Sequence, residues 1–375
     1  MRTRTRISAL LLATCIAGTA IADGHRPAEL AALEPPPIPA DNPQTPEKIA
    51  LGEKLFFDPI LSGNFGMPCS ACHLPEAGWA IQDKISFGYP GTTHWRNSQT
   101  VINSAYYKKL FWAGASGSLE HQARSAARGG VAGNGEDDMM EARLAFVPEY
   151  RTAFREVFGD QWPLVRHAYM AIASYERTLV QTDTPFDDYM RGDDAALSEQ
   201  EKRGLDLFTG KANCSACHSG ALLSNEAYYN LGVPRYDGWE EDELAQITFR
   251  FELLAKGVTE EKYRTFKDDP GLYFRTKQDA DLGKFRVPSL RYTKYTFPYM
   301  HNGMLETLRD VVVFYSEGGG ENDFSANKTD LIQPLGLSDP EIDDLVAFLE
   351  SLSGEEMLVQ MPDIPDMQPL PLSQN

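Results

Sequence analysis

The sequence predicts a mainly helical protein in which two similar units follow each other in tandem, with long connecting loops. The pentapeptide Cys-Ser-Ala-Cys-His occurs twice, at residues 69–73 and 214–218. Each copy lies between two segments whose apolar residues recur at helical spacing. Regular alternation of apolar and polar residues, which would predict strands, is scarce along the chain.

The amino terminus predicts a secretory signal, residues 1–22, that is cut after Ala22. Three arginines precede an apolar run over residues 7–21, and that run ends in small residues. The run is too short to cross a bilayer, and no later stretch is long and apolar enough to do so. We therefore expect an exported, periplasmic protein without a membrane span.

Composition narrows the partners and the cysteine chemistry. The formal net charge of −19 predicts repulsion from nucleic acid and anionic membranes, and it suits a basic partner. Of the five cysteines, Cys15 lies in the signal and the other four lie in the two pentapeptides. We therefore expect neither a disulfide nor a reactive thiol, although the periplasm is an oxidising compartment.

The first unit, residues 46–192, is expected to begin and to close with a helix. Thr45 has the character of an N-cap, and Pro46 suits the first helical position. The closing helix is predicted within residues 163–181, where apolar residues form a stripe at helical spacing.

The second unit, residues 193–354, repeats this plan. Capping boxes at residues 198–201 and 338–341 predict where its first and last helices begin. Gly204 precedes a phenylalanine by four residues, as Gly52 does in the first unit. Glycine at these positions permits the close approach of a crossing helix.

Proline-rich segments flank the two units. Residues 23–45 predict an extended leader that is mobile unless it docks on the folded units. Residues 355–375 predict a disordered tail. The junction between the units is expected at residues 192–196, where a glycine and two aspartates follow one another.

Cys-x-x-Cys-His is the attachment signal of a c-type haem: the thiols bond to the porphyrin, and the histidine is placed under the iron. A redox Cys-x-x-Cys pair or half of a zinc site is the alternative, but neither needs a histidine directly after the second cysteine. The two copies therefore predict two covalently bound c-type haems. The residues that would hold them are Cys69, Cys72, His73, Cys214, Cys217 and His218.

Two further motifs accompany the pentapeptides: Phe-Arg-Val-Pro-Ser-Leu-Arg at residues 285–291 and Pro-Tyr-Met-His-Asn-Gly at residues 298–303. With these motifs, residues 46–354 resemble the bacterial dihaem cytochrome c peroxidase and MauG superfamily. The resemblance implies two cytochrome c-like haem domains in tandem, with hydrogen peroxide as the oxidant.

The resemblance also implies a ligand for the second haem. Peroxidases of the family usually have a methionine fourteen residues after the histidine of Pro-Tyr-x-His, whereas MauG-type proteins have a tyrosine. Tyr315 occupies that position and is the expected ligand, with Met304 and then Met300 as the thioether alternatives. An anionic oxygen stabilises ferric iron, whereas a methionine raises the reduction potential.

For the first haem, the resemblance favours an open, five-coordinate iron held by His73. Many of the peroxidases carry a blocking histidine eight residues before the asparagine of an Arg-Asn pair. Counting back from Asn97 leads to Tyr89 instead. Tyr89 and His94 therefore stay as alternative sixth ligands.

Other family positions lie between the two haems. Trp112 matches the tryptophan that lies between them and shortens electron transfer. Asn97, with the carbonyl groups of Thr296 and Pro298, matches an inter-domain calcium site, and oxygen donors suit this hard cation.

The sequence departs from the family above the first haem. A glutamate commonly serves there as the acid-base group for O–O cleavage, but residues 129–132 are Gly-Gly-Val-Ala. Gln122 and the adjacent His121 are the remaining candidates for that pocket. The acidic loop at residues 136–137 is an alternative, although such a loop more often faces solvent.

Together these features favour a periplasmic MauG-like enzyme that uses hydrogen peroxide to form a high-valent dihaem state, which oxidises a side chain of a secreted partner protein. One alternative is a dihaem cytochrome c peroxidase that reduces peroxide to water with electrons from a small cytochrome. Another is a dihaem electron carrier without peroxide chemistry, which the missing glutamate favours.

Overall fold

The computed structural model describes residues 26–366, so the expected signal peptide lies outside the described residues. Within this range the chain forms twelve α-helices joined by long loops and short 3-10 turns. The helices are α1 (Pro46–Phe57), α2 (Leu119–Arg128), α3 (Asp137–Phe146), α4 (Pro148–Phe158), α5 (Val165–Glu176), α6 (Pro185–Met190), α7 (Glu199–Thr209), α8 (Glu243–Ala255), α9 (Glu260–Thr265), α10 (Tyr273–Thr276), α11 (Leu308–Ser316) and α12 (Asp339–Ser351).

Strands are short and few in the described chain, which confirms the mainly helical prediction. Strand β1 (Phe87–Gly88) pairs antiparallel with β2 (Thr92–Thr93). Strand β3 (Tyr228–Tyr229) pairs in the same way with β4 (Phe285–Arg286). Across residues 26–366, none of the helices combines the length and the apolar character that crossing a bilayer requires.

Helices α1 and α5 cross in close contact, and Gly52 permits that contact. A Cβ atom built on Gly52 would lie 1.9 Å from the carbonyl oxygen of Ala171, so no side chain fits there. The Thr45 hydroxyl accepts a hydrogen bond from the backbone N–H of Lys48, which confirms the predicted N-cap. The closing helix also forms where the apolar stripe predicts it.

Helices α7 and α12 repeat this arrangement. Both predicted capping boxes are present, at Ser198 and at Ser338. A Cβ atom on Gly204 would lie 2.1 Å from the carbonyl oxygen of Asp344, so these helices also depend on a glycine for their contact. The rings of Phe208 and Phe348 pack with their centroids 5.1 Å apart.

Each helix pair belongs to its own apolar cluster. The first core surrounds α1 and α5, and it contains the fully buried Phe56 and Trp79. The second core surrounds α7 and α12, and it contains Phe186, Phe208 and Phe348. The described residues thus form two cores, although Phe186 of the second core precedes the boundary expected near residue 192, which stays a prediction.

The flanking segments dock on the folded chain. In the leader, Leu30 is buried in the second core, and the backbone N–H of Leu33 donates to Asp187 Oδ1 at 2.9 Å. The leader is therefore docked on the folded chain, which is one of the two outcomes that the sequence allows.

The prediction of a disordered tail is wrong as far as residue 366. Met357, Val359 and Ile364 pack against the first core. Trp79 Nε1 donates to the carbonyl oxygen of Met357 at 2.6 Å. The apolar residues between the prolines find a buried surface, which compensates for the entropy lost on ordering. Residues 367–375 lie outside the described range.

Candidate functional site

Both pentapeptides line one continuous cavity of about 1050 Å³ between the two cores. A pocket for one small ligand occupies roughly 300–1,000 Å³, so this space suits a larger group or more than one group. The four cysteines and both adjacent histidines face the cavity. More than a hundred residues separate the two motifs in the sequence, but the fold brings them to one shared cavity.

The two pentapeptides have the same local structure. Each begins with a 3-10 turn, over Cys69–Ala71 and Cys214–Ala216. The histidine N–H then donates back to the carbonyl oxygen of the first cysteine, at 3.1 Å in the first copy and 2.9 Å in the second. This turn places two thiols and one imidazole against the same cavity wall.

A backbone carbonyl orients each histidine. His73 Nδ1 lies 3.3 Å from the carbonyl oxygen of Trp79, and His218 Nδ1 lies 3.1 Å from that of Leu223. Because Nδ1 donates its proton to the carbonyl, Nε2 keeps a lone pair for a metal. Burial lowers the pKa of both histidines to about 4, so the rings are neutral at pH 7, as metal binding requires.

The thiols do not suit a zinc site. Burial raises the pKa of Cys72 to about 11 and that of Cys214 to about 12, so both thiols are protonated when nothing is bound to them. Residues 26–366 also contain no group of three or more His, Cys, Asp or Glu side chains arranged to hold an ion. Buried thiols, neutral histidines and a largely apolar wall fit two c-type haems.

Tyr315 reaches the cavity from α11, which begins at a capping box formed by Thr307 and Asp310. Burial raises the pKa of the Tyr315 hydroxyl, and the nearby Cys214 and Cys217 raise it further. Among the described residues, none donates a hydrogen bond to this hydroxyl or accepts one from it. It is therefore available to a group bound beside the second pentapeptide.

The thioether alternatives to Tyr315 differ in position. The Met304 sulfur accepts the backbone N–H of Asp237 at 3.3 Å, and Met304 does not line the cavity. Met300 does line the cavity. Of the two methionines, only Met300 remains a competitor on this geometry.

Trp112 lines the cavity that the two pentapeptides share, and its ring is held firmly. Its Nε1 donates to the carbonyl oxygen of Asn97 at 2.8 Å, and its own carbonyl accepts the N–H of Arg286 at 2.8 Å. The ring meets His301 edge-on, with centroids 6.4 Å apart. His301 in turn stacks on Phe285 at 3.8 Å.

The three residues of the expected calcium site all line this cavity. The Asn97 side-chain nitrogen donates to the carbonyl oxygen of Asp83 at 2.9 Å, so its Oδ1 atom points the other way. The backbone N–H of Asn97 donates to the carbonyl oxygen of His301 at 2.8 Å. The fold therefore places Asn97 against His301, from the other half of the chain, and places Thr296 and Pro298 on the wall of the same cavity.

The alternative sixth ligands of the first haem are poorly placed to bind iron. Tyr89 does not line the cavity, and its ring lies beside Gly63. His94 does line it, but His94 Nδ1 accepts the backbone N–H of Arg96 at 3.0 Å. The neutral ring then carries its proton on Nε2, which has no lone pair left for a metal. Burial, followed by the charge of Arg96, lowers the pKa of His94 to about 3.

The pocket above the first pentapeptide separates Gln122 from His121. Gln122 lines the cavity together with the glycine-rich loop and Ala132. His121 is exposed, and its Nδ1 lies 2.8 Å from Ser116 Oγ. His121 therefore lies outside the cavity wall, because successive side chains on an α-helix point about 100° apart.

The acidic loop also stays outside the cavity. Arg128 Nη1 donates to Asp137 at 3.0 Å, and Glu136 lies 3.8 Å from the same guanidinium. Neither carboxylate lines the cavity. This loop therefore does not supply the missing acid.

The cavity wall also contains Glu176, which the sequence did not single out. It is buried at the end of α5, and it faces the cavity together with Ile172, one helical turn earlier. A signal was present in the sequence: an acid stands four residues after Ile172, on the apolar stripe of the closing helix.

Comparisons with known proteins place these features in context. The sequence profile described as di-haem cytochrome c peroxidase matches residues 46–195. Cytochrome-c peroxidase IdrP1 of Denitromonas iodatirespirans is 53% identical over 97% of both chains. Methylamine utilization protein MauG of Methylorubrum extorquens is 34% identical over 95% of this chain and 94% of its own. The crystal structure of a MauG-like protein associated with microbial copper homeostasis matches with a TM-score of 0.73 and 31% identity, over 88% of this chain and 95% of its own.

Proposed function

The chain belongs to the di-haem cytochrome c peroxidase family, which includes MauG, and on this premise we propose that it is a periplasmic MauG-like enzyme. It uses hydrogen peroxide to oxidise a side chain of a secreted partner protein. The observation that carries this proposal is Tyr315, whose unpartnered hydroxyl lines the cavity beside the second pentapeptide. An oxygen at this position distinguishes the MauG-like branch from peroxidases that have methionine there.

The family implies two c-type haems, which supply the redox chemistry with peroxide when they are bound. The chain's own residues hold and orient them. Cys69, Cys72 and His73 would hold the first haem, and the second pentapeptide would hold the other. The carbonyl groups of Trp79 and Leu223 fix the orientation of each imidazole, whose other ring nitrogen would bind the iron.

The two sites differ in the side chains that would surround each haem. Beside the second pentapeptide, the Tyr315 oxygen favours ferric over ferrous iron and therefore favours storage of oxidising equivalents. Beside the first, Gln122 and Ala132 line open space, and His94 presents no lone pair, which leaves room for peroxide. Trp112 lies along the shared cavity and offers an aromatic relay between the two sites.

The proposal is tested by mixing the diferric protein with one equivalent of peroxide. We expect both haem spectra to change together, without prior reduction, in stopped-flow absorption and Mössbauer measurements. A diferric protein that is inert to peroxide would remove the proposed function and support a reductively activated peroxidase or an electron carrier.

A second function is favoured by the relative with 53% identity, which is named a cytochrome-c peroxidase. In that case a small cytochrome, rather than an oxidisable side chain, supplies the electrons. Steady-state peroxide reduction with a reduced small cytochrome separates the two functions. Rapid turnover supports the cytochrome c peroxidase function. Slow turnover together with a long-lived oxidised state of the protein supports the MauG-like function.

We also propose that Asn97, Thr296 and Pro298 bind calcium. Support comes from their shared position on the cavity wall and from the side-chain oxygen of Asn97, which the hydrogen bond from its amide nitrogen to Asp83 directs away from that carbonyl. Carbonyl and amide oxygens are suitable ligands for this cation.

A further inference from the structure

Glu176 is a buried acid at the end of α5. Its side chain lines the cavity, and its charge acts on Cys69 and on Glu120, so it lies near the first pentapeptide and near the start of α2, the helix that carries Gln122. The part of the cavity next to the first pentapeptide is called the first pocket. The residue is 3% exposed, and its Oε2 atom has no hydrogen-bond partner among the described residues. A buried carboxyl group without a partner is costly, so its persistence in a folded cavity calls for a ligand or a water.

The charges around Glu176 leave it without an ion pair. The adjacent Arg177 donates instead to Glu120 on α2 at 2.6 Å, and Glu120 also accepts from Asn42 at 2.8 Å. On the far side of that network is Lys48 of α1, which donates to Asn42. No described cation therefore forms a salt bridge with Glu176.

This isolation keeps the carboxyl group protonated. Burial raises the pKa of Glu176 to about 8; the Arg177 charge opposes that shift, and the Glu120 charge adds to it. At neutral pH the group is therefore mostly a neutral acid that can donate a proton. Its charge also reaches the thiol of Cys69, so Glu176 lies close to the first pentapeptide.

The other acids of the cavity wall are already engaged. Asp58 accepts the N–H of Ile60 at 2.8 Å and the hydroxyl of Tyr150 at 2.6 Å. Glu252 lies on α8, 3.4 Å from Lys256. Glu176 is thus the acid on the described wall that is both buried and free to donate.

We propose that Glu176 is the proton donor of the first pocket and takes the role that the alanine at position 132 leaves open. This inference rests on the proposed function, because it assumes that peroxide reacts in that pocket. Reduction of hydrogen peroxide to two waters consumes two protons and two electrons. Glu176 passes one proton, through a water, to the oxygen that leaves when the O–O bond breaks.

The balance of the step is complete. After transfer, Glu176 is a carboxylate and regains its proton from solvent, which also supplies the second proton. The two electrons come from a side chain of the partner protein, which is thereby oxidised. Proton donation by a positioned acid contributes about a hundred- to ten-thousand-fold in rate.

Infrared spectroscopy of the ferric holoprotein tests the proton directly and needs no turnover. We expect a carboxylic C=O band that disappears as the pH rises through about 8. The band should be absent from Glu176→Gln and retained in Glu252→Gln, which makes the same change at another cavity-wall acid. Glu176→Asp should keep the band at a shifted frequency, and this variant replaces Glu176→Gln in the test if the glutamine variant does not fold. A band that titrates unchanged in Glu176→Gln overturns the inference.

The peroxide reaction supplies the second test. Glu176→Gln should react about a hundredfold or more slowly than wild type, and its rate should lose the decline that wild type shows as pH rises through about 8. The Glu252→Gln variant should keep the wild-type profile. If wild type reacts and Glu176→Gln matches it, the inference fails while the proposed function stands. If wild type is inert, the proposed function fails, and with it the catalytic part of the inference.

Discussion

At the scale of single residues, the chemistry of the site depends on the hydrogen-bond partner of each polar atom around the cavity. His73 and His218 have one ring nitrogen tied to a carbonyl group, so the other nitrogen is directed to the cavity. His94 has the opposite arrangement, because its Nδ1 accepts a backbone N–H. The same residue type is therefore prepared as a ligand in two places and as a donor in the third.

Tyr315→Phe tests the assignment of the second haem's ligand. Removal of the hydroxyl should change the low-spin ferric spectrum of the second haem and leave the first haem intact, because only one oxygen is lost. Tyr299→Phe is a matched control: it lines the same cavity, but its hydroxyl donates to the carbonyl oxygen of Thr293 at 2.8 Å. An unchanged spectrum in Tyr315→Phe would show that the ligand is another group, with Met300 the next candidate.

At the scale of elements, two crossing helix pairs set the distance between each pentapeptide and its closing helix. Both crossings rely on a glycine whose missing side chain lets one backbone meet the other. Each closing helix then supplies wall residues to the cavity: Glu176 from α5, and Leu345 and Leu349 from α12. The element that closes each unit thereby also shapes its site.

Gly204→Ala should separate α7 from α12. The added Cβ atom would lie 2.1 Å from the carbonyl oxygen of Asp344 and 2.6 Å from Phe348 Cβ, so the helices must move apart. We expect a loss of about 1–3 kcal/mol or more in the free energy of unfolding, measured with urea. Gly117→Ala is the control, because its added Cβ would meet only the Lys108 carbonyl oxygen, at 3.9 Å. Equal stability of the two variants would contradict this account of the crossing.

At the scale of the whole molecule, each end of the described chain packs against the core that lies farther from it in the sequence. The leader packs on the second core, and the tail packs on the first. The tail also reaches the first site indirectly: Met357 accepts from the Trp79 indole, and the Trp79 carbonyl orients His73. A segment far along the chain therefore supports the first histidine.

Truncation after residue 354 should perturb the first haem more than the second. It removes the Trp79–Met357 hydrogen bond and the apolar cover of the first core. We expect a lower unfolding temperature and an altered spectrum of the first haem. Truncation after residue 366 removes only residues beyond the described range and is the matched control. If truncation after residue 354 changes the spectrum of the second haem more than that of the first, the tail does not support the first histidine.

Calcium removal tests the proposed link between the halves. Metal analysis should find calcium in the purified protein, and Asn97→Ala should lower its content, whereas the exposed Asn64→Ala should not. Chelation should change the haem spectra, and added calcium should restore them, because the ion joins Asn97 to Thr296 and Pro298. Purified, active protein without calcium would refute the site.

Much of the architecture could be predicted because its signals are local. Capping boxes, a proline at the first helical position and apolar stripes act within one or two turns, so the sequence marked where α1, α5, α7 and α12 would form. The haem attachment signal is also local, since the turn chemistry needs only five consecutive residues.

The features that the sequence did not determine depend on contacts between distant segments. Only the folded chain shows that both pentapeptides share one cavity, that the tail covers the first core, and that Gln122 faces inward while His121 faces solvent. The state of Glu176 belongs to the same class. A carboxyl group keeps its proton when burial removes water and every nearby cation already has another partner, and both conditions arise only in the tertiary structure.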